Sequence, residues 1–153
     1  MGIFYLVQFI LRYMWILYAF LSSIFAALVA IFGKFGLKDI DSTLATTIRS
    51  IIMAGFLVIT SLSLKKFQGF SLSSLTGKEW IFIVLAGVAG ALSWLFYFVA
   101  LKYGIATKVV AIDRLSIIFV VILAALFLGE AIGWKAVLGA LFMIAGAILI
   151  TLK

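Results

Sequence analysis

The chain has 153 residues, a mean hydropathy of +1.40 and a formal net charge of +7. Hydrophobic residues make up 67% of it and charged residues 11%, whereas a soluble domain is about half apolar and a quarter charged. A soluble fold of this size cannot bury so much apolar surface, so the composition predicts an integral membrane protein.

Cysteine and histidine are absent, which excludes disulfides, thiol catalysis, Cys/His metal sites and histidine acid–base chemistry. The basic residues are spread through the chain, mostly at the ends of apolar runs. This placement favours cations that flank a membrane over a nucleic-acid-binding patch. We expect neither a metal, a cofactor nor an enzyme activity, because no nucleophile–base pair or soluble domain is evident.

Five segments are long and apolar enough to cross a bilayer, which takes about 20 residues. We therefore predict an all-α membrane protein with one five-helix domain over residues 13–153. The predicted spans run from about Tyr13 to Gly33, Thr43 to Leu64, Trp80 to Leu101, Ala106 to Leu128, and Ala136 to Leu152. The connections are short, and Asp41 or Ser42 is predicted to cap the second helix.

Residues 1–12 are apolar apart from Gln8 and Arg12, but they are too few to span a membrane. They form an N-terminal extension with two interpretations. Either the first helix is longer, tilted or partly interfacial, or translation begins at Met14, immediately before the membrane run. We favour a start at Met14.

The flanking residues give little indication of orientation. In a five-helix serpentine, Trp15, Trp80 and Trp134 fall on one surface, side A, as an interfacial aromatic belt does. Side A and the opposite surface, side B, carry five basic residues each, which favours dual topology or a partner that fixes the orientation. Those of side A are Arg12, Lys65, Lys66, Lys78 and Lys135; those of side B are Lys34, Lys38, Lys102, Lys108 and Lys153.

Several motifs together resemble the EamA domain of the drug/metabolite transporter superfamily. They are Gly33-Lys34-Phe35-Gly36-Leu37 with Arg49, Ser93-Trp94-Leu95-Phe96-Tyr97-Phe98, Ala100-Leu101-Lys102-Tyr103-Gly104, Lys108 to Ser116 with Asp113-Arg114, and Leu126-Phe127-Leu128-Gly129-Glu130 before a glycine-bearing last helix. Members usually have ten helices in two inverted halves, and this chain is similar to the short, half-size type. The resemblance implies a transporter of amino acids, other metabolites or drugs that dimerises. Ala111 stands where many relatives have proline, and helix one lacks the buried glutamate of the small multidrug exporters.

Three charged residues lie inside predicted spans, where each charge costs about 2.5–3.5 kcal/mol and therefore needs a role or a partner. Arg49 lies about 9 Å, and Asp113 about 10 Å, below the side B ends of their helices, so the two share a depth. Arg114 is the third. One interpretation is a substrate cavity open to side B, and the other is an Arg49–Asp113 salt bridge with Arg114 reaching the interface.

Three further side chains complete the predicted substrate-binding set of Arg49, Asp113 and Arg114. Trp94 and Tyr97 lie three residues apart on one helix face, about 12 and 8 Å below side B, where they offer stacking and a hydroxyl. Lys34 at the end of helix one is either a substrate ligand or a flanking anchor. The excess of cations favours an anionic or zwitterionic substrate.

Three other residues are assigned structural roles. Glu130, in the turn after helix four, is predicted to accept amide hydrogen bonds near the start of the last helix. Gly139 and Gly146 share one face of that helix and permit close packing, either within the chain or in a dimer.

The function predicted is transport of a small metabolite, an amino acid or other zwitterionic or anionic compound, or a drug-like molecule. Two antiparallel subunits would work by alternating access, because a five-helix unit has its ends on opposite sides and pairs with an inverted copy. The alternatives are an accessory subunit that pairs with another half-size protein and a flippase for a lipid-linked substrate. The expected location is the prokaryotic cytoplasmic membrane, and the expected partners are lipid, substrate, and a second copy or relative; no nucleic acid is expected.

Overall fold

The computed structural model describes the backbone of residues 2–152 and the side chains of residues 13–152. Five stretches of it are long and apolar enough to cross a membrane, which confirms the predicted all-α membrane fold. The helices are α1 Gly2–Gly36, α2 Ser42–Ser63, a 3₁₀ turn Leu72–Ser74, α3 Gly77–Tyr103, α4 Ala106–Asp113, α5 Ser116–Leu123, a π-helical turn Ala124–Leu128, and α6 Trp134–Thr151. The predicted flanking cations Arg12 and Lys153 lie outside the described side chains.

The first helix is longer than its predicted span. With 35 residues, α1 is about 52 Å long, well beyond the roughly 30 Å of a hydrocarbon core. It continues without interruption through residues 2–12, as the longer-helix interpretation requires. A translation start at Met14 stays a prediction.

Short polar motifs cap the N-terminal ends of α2 and α3. Asp41 caps α2 as predicted, since its Oδ1 accepts from the amides of Thr43 at 2.9 Å and Leu44 at 3.0 Å. Before α3, Thr76 and Glu79 form a reciprocal capping box. These caps satisfy amides that the first helical turn leaves without partners.

The fourth span covers Ala106–Leu128 as predicted, but the regular α-helix within it is interrupted between α4 and α5. After Asp113 the backbone tightens: the Leu115 amide donates to the Ile112 carbonyl at 3.0 Å, and the Ile118 amide to the Leu115 carbonyl at 3.0 Å. These bonds span three residues, as in a 3₁₀ turn, instead of the four of an α-helix. The break therefore lies immediately next to the charged pair Asp113-Arg114.

The packed centre of the described chain lies at the side B ends of α1 and α3. Leu37, Phe98 and Leu101 form the buried cluster there, and Leu101 is 0% exposed. The Lys34 ammonium donates to three carbonyl oxygens at the end of α3: Leu101 at 2.6 Å, Gly104 at 2.8 Å and Lys102 at 3.3 Å. Lysine near a helix C-terminus satisfies its last carbonyls and its dipole, so Lys34 fastens α1 to α3.

Two further lysines hold helix ends on the same side. Lys102 donates to the Ile40 carbonyl at 2.9 Å, and Lys108 donates to the Thr151 carbonyl at 2.7 Å. The first bond holds the α1–α2 loop to the end of α3, and the second holds α4 to the end of α6.

Candidate functional site

Three aromatic side chains of α3 form a continuous cluster. Trp94, Tyr97 and Phe98 recur at the spacing that places residues on one helix face. Their ring centroids are 5.8 Å apart for Trp94–Tyr97 and 5.9 Å apart for the two pairs that include Phe98. These separations fall within the range of favourable aromatic pairs, so the cluster is a firm wall for the space beside it.

Arg49 of α2 lies on this wall. Its guanidinium carbon is 3.6 Å from the centroid of the Trp94 ring and 4.8 Å from that of Phe98, which is cation–π geometry. The Nε and Nη2 atoms are buried and make no hydrogen bond within the described part of the chain. A buried donor without a partner costs about 1–3 kcal/mol, and more when charged. An anion that reaches Arg49 would remove this cost, so binding of an anion there is favourable.

A cavity of about 560 Å³ adjoins Arg49 between α1, α2 and α3; we call it the Arg49 cavity. Its remaining walls are apolar or aromatic. They are Val29, Phe32, Gly33, Gly36, Leu37, Ala45, Met53, Trp94 and Phe98. Concave apolar spaces of 300–1,000 Å³ with a few polar groups are typical of small-molecule sites.

A second, smaller cavity of about 190 Å³ lies against Asp113 and Arg114; we call it the Asp113 cavity. Trp94 lines both cavities, whereas Tyr97 and Ser93 line only this one. Asp113 and Arg114 are both exposed in the single chain. An adjoining space of about 380 Å³ shares Ser93, Tyr97 and Asp113 with it.

The structure brings five of the six predicted substrate-binding residues to one region and separates them into two groups. Arg49 lies in one cavity, Asp113 and Arg114 line the other, and Trp94 lies between them. The alternative Arg49–Asp113 salt bridge is not formed, because Arg49 stacks on Trp94 and keeps two unpaired N–H groups. Substrate binding by these residues stays a prediction.

Lys34, the sixth predicted ligand, has a different environment. Its ammonium is occupied by the three carbonyl oxygens at the end of α3, and it lines neither cavity. Its position is that of the anchor, the alternative predicted beside the role of substrate ligand.

The structural residues of the last helix also differ from expectation. α6 begins after Gly133, which has no side chain to cap it, and Glu130 is exposed; the hydrogen bonds predicted for Glu130 stay a prediction. No described atom lies within 4 Å of a Cβ built on Gly139 or Gly146. Neither glycine therefore permits a close helix contact within the described chain, and the dimer contact stays a prediction.

Sequence reasoning gave no site role to Phe98 or Met53, which line the Arg49 cavity. Phe98 lies four residues after Trp94, so the helical spacing could have included it. Met53 lies four residues after Arg49 on α2, but an apolar residue in an apolar span gives no signal of its own.

Comparison with known proteins identifies the family of this chain. No solved structure matches the chain. A curated protein from Sinorhizobium sp, named "Uncharacterized transporter in cobO 3'region", is 42% identical over 136 residues, which cover 89% of this chain and 95% of that protein. The model of the EamA-like transporter family matches residues 13–152, which include both cavities, so the chain belongs to the EamA-like transporter family.

Proposed function

We propose that this protein transports a small anionic or zwitterionic metabolite, or a drug-like molecule, across the prokaryotic cytoplasmic membrane. The carrying observation is Arg49, stacked on Trp94 with two buried N–H groups that no described residue satisfies. Charged side chains within a span are rare and commonly mark substrate or ion pathways. Family membership and the relative's name as a transporter support the same function.

We further propose that two antiparallel subunits form the working unit. Asp113 and Arg114 are exposed in the single chain. They follow Ala106 by seven and eight residues and so lie about 10 and 12 Å below the helix end. Left against lipid, each charge would cost about 2.5–3.5 kcal/mol. An inverted second copy covers this face with protein or a water-filled cavity, and alternating access follows from rocking one copy against the other.

Transport is tested with purified protein in proteoliposomes, by counterflow of a labelled panel of amino acids and organic acids. We expect saturable uptake of at least one compound, reduced more than tenfold by Arg49→Gln. Lys38→Gln is the matched control, because it removes an exposed loop cation that lines no cavity, and it should leave uptake unchanged. Full uptake by Arg49→Gln would contradict the proposed site.

The antiparallel arrangement is tested separately with paired C-terminal reporters that are active on opposite sides of the membrane. Activity of both reporters supports dual insertion and an antiparallel homodimer. Activity of only one reporter would refute dual topology and would require an inverted partner protein instead.

A further inference from the structure

The two cavities differ in chemistry as well as in position. Among the described residues, Arg49 is the only charged residue that lines the Arg49 cavity. Trp94 separates it from Asp113, which lines the two other spaces. A ligand held in the Arg49 cavity therefore meets one cation and apolar walls, with no carboxylate available to pair with an amine.

We propose that the Arg49 cavity binds a carboxylate attached to an apolar body, and that the ligand carries no ammonium group beside that carboxylate. This inference rests on the proposed function and narrows its substrate from anions and zwitterions to apolar monocarboxylates.

The geometry of Arg49 carries the carboxylate part. The two nitrogens without partners are Nε and Nη2, which share one edge of the planar guanidinium. That edge matches the two oxygens of a carboxylate through a pair of parallel hydrogen bonds. The contact with Trp94, 3.6 Å from the guanidinium carbon to the ring centroid, restrains the Arg49 side chain, so less conformational freedom is lost when the pair forms. Both nitrogens are buried in this conformation, so ligand entry requires the surrounding side chains to move, as an alternating-access cycle does.

The walls of the Arg49 cavity support the proposal that the body of the ligand is apolar. Apart from Arg49, the cavity is lined by aliphatic and aromatic residues and by glycine. Burial of each ligand methylene there should raise affinity about fourfold. An α-ammonium would instead be desolvated beside the cationic Arg49 without a partner, which is strongly unfavourable. Arg49 lies about 10 Å below the start of α2, deeper than the lipid headgroups, so a small free carboxylate fits better than an anionic lipid.

Trp94 provides the readout, since the ligand binds to the guanidinium that covers its ring. In protein with Trp15, Trp80 and Trp134 replaced by phenylalanine, the emission reports this site alone. The protein is placed in phosphatidylcholine nanodiscs and titrated with 3-phenylpropionate, 3-phenylpropanol, L-phenylalanine, butyrate and hexanoate. Equilibrium dialysis of labelled 3-phenylpropionate with the unsubstituted protein gives the same comparison without the tryptophan replacements.

We expect 3-phenylpropionate to bind at least tenfold more tightly than its neutral alcohol and than L-phenylalanine, which adds only the ammonium group. Hexanoate should bind at least tenfold more tightly than butyrate. Arg49→Gln should weaken 3-phenylpropionate at least tenfold, whereas Lys38→Gln should not change its affinity.

Three results would overturn the inference: equal binding of the alcohol, tighter binding of L-phenylalanine, or an affinity that Arg49→Gln leaves unchanged. Competitive loss of probe binding when phosphatidylglycerol enters the nanodisc would assign the site to an anionic lipid instead. Because binding is measured without flux, expected binding together with absent counterflow would refute transport alone. Counterflow of zwitterions that depends on Arg49 would refute only the exclusion of an ammonium group beside the carboxylate.

Discussion

Replacing Lys34 by methionine should destabilise the protein without affecting ligand recognition. Methionine keeps much of the apolar stem but removes the ammonium that bonds the carbonyls of Leu101 and Gly104 at 2.6 and 2.8 Å. Hydrogen bonds to charged groups contribute about 1.5–3 kcal/mol each. The third bond, at 3.3 Å to Lys102, is long and adds little, and the bonds share one donor group. We therefore expect a loss of about 3 kcal/mol in the free energy of unfolding.

The assay is thermal unfolding of the purified protein in a neutral detergent, followed by size-exclusion chromatography of heated samples. For a chain of this size, about 3 kcal/mol corresponds to a Tm lower by roughly 6–12 °C. Lys38→Met is the matched control, because Lys38 is exposed and makes no hydrogen bond to any described residue; its Tm should stay within about 2 °C of the parent, as surface substitutions usually do. Equal Tm values for the two variants, with 3-phenylpropionate binding lost only in Lys34→Met, would refute the anchoring role and return Lys34 to the substrate site.

Three further predictions concern the surroundings of the site. Leu101→Ala removes a fully buried side chain and should lower the free energy of unfolding in detergent by about 2–5 kcal/mol. Leu85→Ala, at a 58% exposed position of the same helix, should lower it far less, and similar losses would contradict the observed packing of Leu101. Gly33→Ala places a Cβ 3.3 Å from the Phe98 ring, whereas Gly55→Ala meets nothing within 4 Å and lies outside the cavity lining. Only Gly33→Ala should therefore weaken 3-phenylpropionate binding, and equal effects of the two variants would exclude the contact. Backbone hydrogen bonds, foremost from the Leu44 amide, lower the pKa of Asp41 below its ordinary value of 3.8. The stability that this cap contributes is therefore present above the unfolded-state pKa and is lost as the pH falls through the folded-state pKa. Over that acid range the Tm should drop less in Asp41→Asn than in the parent, and identical pH profiles would show that this carboxylate does not contribute.

The spans could be predicted closely because each is a long apolar run with polar ends. The second was placed at Thr43–Leu64 and is observed at Ser42–Ser63, and the third was extended at both ends by capping and a final turn. The structure of residues 2–12 was harder to predict. An apolar segment too short to span a membrane is compatible both with an extension of the first helix and with sequence that precedes the true start of the protein.

The break in the fourth span could not be predicted in the same way. Helices usually break at proline or glycine, and neither is present between Ala106 and Leu128. The charged pair Asp113-Arg114 marked the position as functional, but charge alone does not specify a backbone turn.

For the candidate site, the sequence allowed a prediction of how deep each residue lies in the membrane but not of which side chain contacts which. A rise of 1.5 Å per residue places Arg49 and Asp113 at one level, which suggested a salt bridge. Depth does not specify the rotation of each helix about its axis, and that rotation puts the Trp94 ring against Arg49. The anchoring of Lys34 could not be predicted for the same reason. The sequence around Lys34 does not show that the carbonyl end of α3 lies next to it.

Under the proposed dual topology, the hydrogen bonds of the side B lysines limit how the chain can evolve a fixed orientation. Lys34, Lys102 and Lys108 each hold a carbonyl of another segment, so a mutation that removes one of these charges also loosens the fold. On side A, the ammonium groups of Lys65, Lys66 and Lys78 donate no hydrogen bond to any residue that the structure describes, although the backbone amides of Lys65 and Lys66 do. A gene duplicate that commits to one direction of insertion can therefore gain or lose charges on side A at little cost in stability, and selection on orientation should act there first.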